Sequence, residues 1–202
     1  MLQPVLQLFH REGAGRPIRV AWALEEAGEP YEVVVMSSED ASGEEHRARH
    51  PLGRVPVLKD GSGTLFESAA ICLQLADTHP EAELLPPVGT PERGLAYQWA
   101  VFVPAELERP LLDTFLYSQS DPNRAEAARK RAEQALGAVS DALGESEYLV
   151  AGRFGVADVM VGSTLSRLSR AGAEAMLDDR LRAYVHRLEQ RPAFQTALAR
   201  TD

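Results

Sequence analysis

A chain of 202 residues, 45% apolar and 25% charged, has ordinary globular composition and enough length for one large domain or two small ones. Its formal charge of −9 argues against a general nucleic-acid surface, which needs basic patches. The one cysteine, Cys72, rules out an internal disulfide and fits a reducing compartment. Met1-Leu2-Gln3-Pro4 lacks a basic, apolar leader, and no stretch is apolar enough to cross a bilayer, so a cytoplasmic protein without membrane partners is expected.

Val5–Phe9 reads as a short strand, and residues 10–16 as a loop rich in glycine and charge. Pro17 suits a first helical turn. Ile18, Val20, Ala21, Leu24 and Ala27 give that helix its apolar face, and Gly28 stops it. The β-branched run Tyr31–Met36 is a second strand. Residues 37–50 are polar and read as loop with one short helix, Ser37 and Ser38 being turn residues and His46 and His50 surface residues. Val57-Leu58 and Leu65-Phe66 are strands of a hairpin. Its turn is Asp60-Gly61-Ser62-Gly63, where glycine supplies positive φ. A helix runs from Ser68 to Asp77 with Cys72 buried on it. The order β-α-β-α-β-β-α predicts a parallel first half with a right-handed crossover, then a hairpin plus helix.

Pro80, Pro86, Pro87, Gly89 and Pro91 mark residues 79–91 as a linker. The chain is helical beyond it. Residues 92–118 form a helix that Pro104 and Pro110 kink or split, and residues 124–143 form an amphipathic helix with a solvated charged face. Gly155 caps a third, with Asp158 at its N3 position and Phe154 stapled to Val159. Residues 177–189 and 192–199 close the chain as short helices. The expected domains are residues 1–78, the linker 79–91, and an all-helical domain, 92–202.

Residues 54–68 carry the densest chemistry. Pro56 cannot donate to a ladder, so it begins its strand and leaves the backbone of Val55 open to an added peptide. Ser68 opens a helix whose free N–H groups favour a carboxylate. Glu67 beside it suits an ammonium. One end of this stretch thus fits a zwitterionic amino-acid head and its middle fits a peptide backbone.

Pro51-Leu52-Gly53-Arg54-Val55-Pro56-Val57-Leu58, Glu67-Ser68-Ala69-Ala70-Ile71, Phe154-Gly155-Val156-Ala157-Asp158 and Arg191-Pro192-Ala193-Phe194 together resemble the glutathione S-transferase family across nearly the whole chain. The resemblance implies an α+β thioredoxin-like N-terminal domain followed by an all-α C-terminal domain. It implies a cis peptide before Pro56, Val55 pairing with the cysteinyl backbone of glutathione, and Glu67 and Ser68 holding the γ-glutamyl amine and carboxylate. Arg54 stands where many members carry Lys and is placed to reach the glycine carboxylate; His46 and His50 lie near that end. A homodimer, glutathione as co-substrate, a small electrophile and no metal are implied as well.

The sequence departs from the family where the thiol is activated. Members carry Tyr, Ser or Cys near the end of the first strand or the start of the first helix. Here those places fall on Leu8 or Phe9 and on Gly15 or Arg16, and residues 10–17 contain none of the three. Arg16, with the helix-start amides, is the leading substitute, because a guanidinium lowers a nearby thiol pKa; His10 is the weaker one. For the second substrate, Tyr97, Trp99, Phe102, Glu106 and Tyr117 are available on the first long helix of the C-terminal half, with core packing their simplest role. Conjugation to an electrophile is the leading function. Glutathione-dependent peroxide or disulfide reduction, and a non-catalytic glutathione-binding module, are the alternatives.

Overall fold

The computed structural model describes residues 5–201, so the N-terminus Met1–Pro4 discussed above lies outside the described residues. The first strand, β1 (Leu6–His10), leads through a turn into α1 (Pro17–Ala27), with Pro17 at its first position and Gly28 closing it at φ 65°. That left-handed cap suits glycine, which has no Cβ to clash. β2 (Tyr31–Val35) lies parallel to β1, and the Met36 N–H extends the pairing by donating to His10 O at 2.8 Å.

The stretch read as loop with one helix holds two, α2 (Ser38–Ser42) and α3 (Glu44–Arg49). Ser37 is more than a turn residue: its Oγ accepts the Asp40 N–H at 3.0 Å while Asp40 accepts the Ser37 N–H at 3.3 Å, a reciprocal cap that starts α2. β3 (Val57–Lys59) and β4 (Thr64–Phe66) form the hairpin, and α4 (Ser68–Thr78) follows directly. The hairpin turn rests on a side chain. Asp60 Oδ1 accepts from Ser62 N, Ser62 Oγ and Gly63 N at 2.6, 2.6 and 2.9 Å, and Gly63 does not take up positive φ. The Ser62 hydrogen bonds hold the Asp60 carboxyl below its usual range. Strand order is β2-β1-β3-β4, with β3 antiparallel to both neighbours.

Two compact units result: residues up to 85 with those from 189 on, and residues 86–188. In the first, every residue of α1 from Pro17 to Leu24 is buried. The last helix, α10 (Pro192–Thr201), which chain order puts in the helical half, packs in this first unit. Phe194 sets its ring edge-on to the fully buried Trp22, centroids 4.8 Å apart. Arg191 forks onto Glu26 at 2.6 and 2.8 Å, and Glu26 also accepts Trp22 Nε1–H at 2.9 Å. Nearby, Glu25 accepts from Tyr31 Oη and Arg200 at 2.8 and 3.1 Å, and burial pushes the Tyr31 hydroxyl up to about 12.

The second unit is helical: α5 (Pro91–Phe102), α6 (Glu108–Leu116), α7 (Pro122–Leu143), α8 (Val156–Leu168) and α9 (Asp179–Glu189). Pro104 lies in a π turn, Val103–Leu107, that separates α5 from α6, while Pro110 is accommodated inside α6, where it is buried. The missing N–H of Pro104 fits a local change of hydrogen-bond register. Along α7, Ala125, Ala128, Ala132, Leu136, Val139 and Leu143 face inward; Arg129–Glu133 and Lys130–Glu126 pair at 2.9 and 3.8 Å on the outside.

α8 is buried almost throughout and depends on Asp158. Its carboxylate accepts from Gly155 N at 3.0 Å, Leu149 N at 3.0 Å and Tyr184 Oη at 2.7 Å, tying the helix start to the preceding loop and to α9. Phe154 packs edge-on against Tyr148 at 5.8 Å. The expected α+β thioredoxin-like half and helical half are both present.

Phe194→Ala should lower unfolding free energy by about 3–5 kcal/mol, because it opens a cavity against Trp22; denaturant titration checks it. Burial pushes the Asp158 carboxyl up from 3.8 to about 6, against the opposing pull of its three donors. A folded-state pKa raised above the unfolded one means the native state holds the proton longer, so this group costs stability as pH rises from about 4 to 6. Relative to Asp158→Asn, which does not titrate, the wild type should lose about 3 kcal/mol across that window. Parallel pH–stability curves for the two proteins would rule this out.

Candidate functional site

Register decides which segments meet. β1 and β3 pair Phe9 with Val57, and β3 and β4 pair Val57 with Phe66. His10 and the loop after it, Val55-Pro56 before β3, and Glu67-Ser68 after β4 therefore emerge at one end of the sheet. That end carries Arg16 at the cap of α1 as well as Arg54, Val55, Pro56, Glu67 and Ser68.

The Val55–Pro56 peptide is cis, Pro56 is buried and Val55 is half-buried against Phe9, Met36, Ala41 and Val57. The turn before it is tight. Gly53 has φ 61°, and a Cβ there would lie 2.6 Å from Ala41 O, so both conformation and space require glycine. Arg54 is exposed, and its carbonyl accepts His46 Nε2–H at 2.8 Å.

His46 and His50 are not surface residues. Both are buried, because each secures this turn: His46 holds the Arg54 carbonyl, and His50 Nδ1 accepts the Leu52 N–H at 3.1 Å while its ring lies 4.6 Å from that of Phe66. Burial pushes the His50 imidazole below its ordinary value, opposed by the Glu67 charge. In sequence they look like two more polar residues of a charged helix; only contact with the 50–55 turn buries them.

Glu67 is exposed and stands at the cap of α4 with φ 70° and ψ 111°. A non-glycine residue in that region costs about 1–3 kcal/mol and is held there by its surroundings. Ser68 begins α4, and the first N–H groups of a helix have no intrahelical acceptor, so this start presents donors to an anion. The Ser68 hydroxyl is buried and accepts from Arg19 Nη1 at 3.3 Å. Arg19 itself is buried in α1, a contact the sequence reading missed; the signal was a cation inside an otherwise apolar run, Pro17-Ile18-Arg19-Val20-Ala21-Trp22. Cys72 is fully buried, as expected, and burial pushes its thiol up to about 12 against the opposing Arg19 charge.

Arg16 is half-buried with backbone φ −81°, and its carbonyl accepts the Arg19 N–H at 3.1 Å. His10, the other candidate helper, is buried at the end of β1. In the helical unit, Trp99 is core, packed edge-on to Phe102 at 5.1 Å. Tyr97 Oη accepts from Arg93 Nε at 2.6 Å, Tyr117 lies under the Arg124 guanidinium at 3.6 Å, and Glu106 is exposed. Among the described residues no group of three or more His, Cys, Asp and Glu side chains is placed to hold a metal, and no helix is long and apolar enough to cross a membrane.

A model of the glutathione S-transferase N-terminal domain matches residues 4–77, and one of the C-terminal domain matches residues 122–187. Glutathione S-transferase GstA of Escherichia coli O157:H7 is 28% identical over 204 residues, spanning 96% of this chain and 98% of its own length. The beta-class glutathione S-transferase of Sphingomonas chungbukensis is 30% identical in structural alignment, with TM-score 0.81 over 96% of this chain and 97% of that one. A sphingomonad glutathione S-transferase solved in complex with glutathione is 29% identical, with TM-score 0.82 over the same shares, 96% and 97%.

Glu67→Gly should raise stability by about 1 kcal/mol, since glycine relieves the positive φ at a smaller cost in unfolded-chain entropy. A variant less stable than wild type in urea titration would show that this conformation carries no strain.

Proposed function

The chain belongs to the glutathione S-transferase family, and we propose that it adds the glutathione thiolate to a small electrophile, with the end of the sheet described above as its glutathione site. The observation that carries this is that the sheet register brings Val55, the carboxylate of Glu67 and the donor-rich start of α4 to one end of the sheet. The sphingomonad relative solved with glutathione supports the same choice of ligand. Val55 pairs through its backbone with the cysteinyl unit, Glu67 receives the γ-glutamyl amine, Ser68 and the first amides of α4 receive its carboxylate, and Arg54 receives the glycine carboxylate. Pro56 holds Val55 in place. A two-fold homodimer and a cytoplasmic setting belong to this reading.

Thiol activation falls to Arg16. A free thiol titrates at roughly 8.5 and only its thiolate attacks. A guanidinium beside the sulfur favours the thiolate, and the amides at the start of α1 act in the same direction, while the proton leaves to solvent. A non-catalytic glutathione-binding module is the second reading, favoured by the lack of Tyr, Ser or Cys in residues 10–17.

Calorimetry with reduced glutathione, followed by turnover against a panel of electrophiles and peroxides, separates these readings. Binding with electrophile turnover is expected; binding without any turnover selects the module, and turnover of peroxides alone selects reduction. Arg16→Ala should leave the glutathione Kd within about threefold, raise the bound thiol pKa by about one unit and lower turnover near pH 7 by about tenfold. An unchanged thiol pKa removes Arg16 from the mechanism.

A further inference from the structure

We propose that His50 is a positioning residue that holds the turn leading to Val55 only while its Nδ1 carries no proton, so that glutathione binding weakens on acidification. The inference rests on the glutathione reading above. Residues 50–53 close into a tight turn, in which the Gly53 N–H donates to His50 O at 2.8 Å. Pro51 has no N–H, so Leu52 carries the first main-chain donor inside the turn. The His50 side chain receives that donor, Leu52 N–H to Nδ1 at 3.1 Å. His50 is 3% exposed, and its ring lies 4.6 Å from that of Phe66, the residue before Glu67.

A main-chain N–H as partner fixes the state of the ring. A ring nitrogen accepts only through an unprotonated lone pair, so the single proton of this imidazole sits on Nε2. Protonation puts a hydrogen on Nδ1 facing the Leu52 N–H, and two donors then meet where one bond stood. His46 behaves differently. Its Nε2–H donates to Arg54 O at 2.8 Å, a bond that the neutral and the charged ring can both make. The turn therefore has one anchor indifferent to protonation and one that protonation removes, and Val55 directly follows it. The charged and titratable groups that face His50 are Glu67 at the cap of α4, His46 on α3 and Arg54 in the turn. Burial holds the imidazole below its ordinary value, with Glu67 opposing and His46 and Arg54 adding to the effect. An ammonium received by Glu67 offsets that opposing charge, so ligand and proton compete at this end of the sheet. A ligand that needs the neutral ring binds less tightly as pH falls through the His50 titration, below about 6.5, and is unaffected above it.

The test uses S-methylglutathione, which keeps both ends of the tripeptide and has no thiol proton, so thiolate formation near Arg16 does not enter the binding curve. Its Kd by calorimetry should rise about tenfold in the wild type between about pH 7.5 and about pH 5, the size of one lost hydrogen bond. His50→Asn should bind within about threefold of wild type at the higher pH, because the Asn Oδ1 can accept the Leu52 N–H, and should weaken by less than about twofold on acidification. His50→Leu, which has no acceptor, should bind about tenfold more weakly at both pH values. Equal weakening of the wild type and His50→Asn on acidification assigns the effect to another group, such as the Glu67 carboxylate, and overturns the inference; so does a wild-type Kd that stays flat. Should His50→Leu not fold, the comparison of wild type with His50→Asn decides alone. In the ligand-free protein, the Leu52 amide resonance should shift along the His50 titration curve followed by NMR, and an amide that ignores that curve is equally fatal. A wild type that binds neither glutathione nor S-methylglutathione at millimolar concentration overturns the glutathione reading itself, and the amide titration separates that failure from a failure of the turn.

Discussion

The antiparallel pairing of β3 with β1 on one side and β4 on the other is the constraint on which the site depends. Three segments, the loop after His10, the Val55-Pro56 pair and, beyond the hairpin, Glu67-Ser68, reach one sheet end only because Phe9, Val57 and Phe66 lie across from one another. A slip of one residue in β3 would turn its side chains to the opposite faces and move Val55 away from the start of α4. Register is held by burial of Val57 and Leu58 and by the Asp60-centred turn, which locks the hairpin without a left-handed glycine at position 63.

Local rules are broken around that end and compensated nearby. Glu67 occupies a positive-φ conformation, and burial of Ser68 against Arg19 keeps the adjoining helix start in place. In the 50–55 turn, packing of Val55 on the core is joined by polar contacts. His46 and His50 hold it through the Arg54 carbonyl and the Leu52 N–H, and Gly53 lets it pass within van der Waals distance of Ala41. Buried polar groups used in this way set a loop conformation more narrowly than apolar packing does, since each has a direction as well as a volume.

The helical unit makes the same use of one buried carboxylate. Asp158 serves two backbone donors and a tyrosine at once, so the start of α8, the loop before it and α9 share a single point of attachment. In the first unit, Glu26 has a comparable place between Trp22 and Arg191, and this pair, with the Phe194–Trp22 contact, brings the last helix of the chain against the first.

Much of this was legible in order along the chain. Strand and helix positions followed from β-branched runs and from apolar spacing, and the starts and stops from Pro17, Gly28 and Gly155, because capping and turn chemistry act over three or four residues and need no partner elsewhere. The peptide-binding character of residues 54–68 was legible for the same reason: a proline without a donor and a helix start with too many are local facts. Two helices in place of one between residues 38 and 49 also rest on a local signal, the Ser37–Asp40 cap, that was passed over. What only the tertiary structure decided is the role of residues whose environment is made by distant segments. Arg19, His46 and His50 are polar in sequence and buried in the fold; the apolar run around Arg19 hints at its burial, but no local pattern names its partner. Arg19 is assigned by a serine 49 residues away, His46 by a carbonyl on a separate turn, and Arg191 by an acid 165 residues earlier. Hydrophobic period and capping reveal where the backbone goes, whereas the partner of a buried charge is set only when the chain has closed around it.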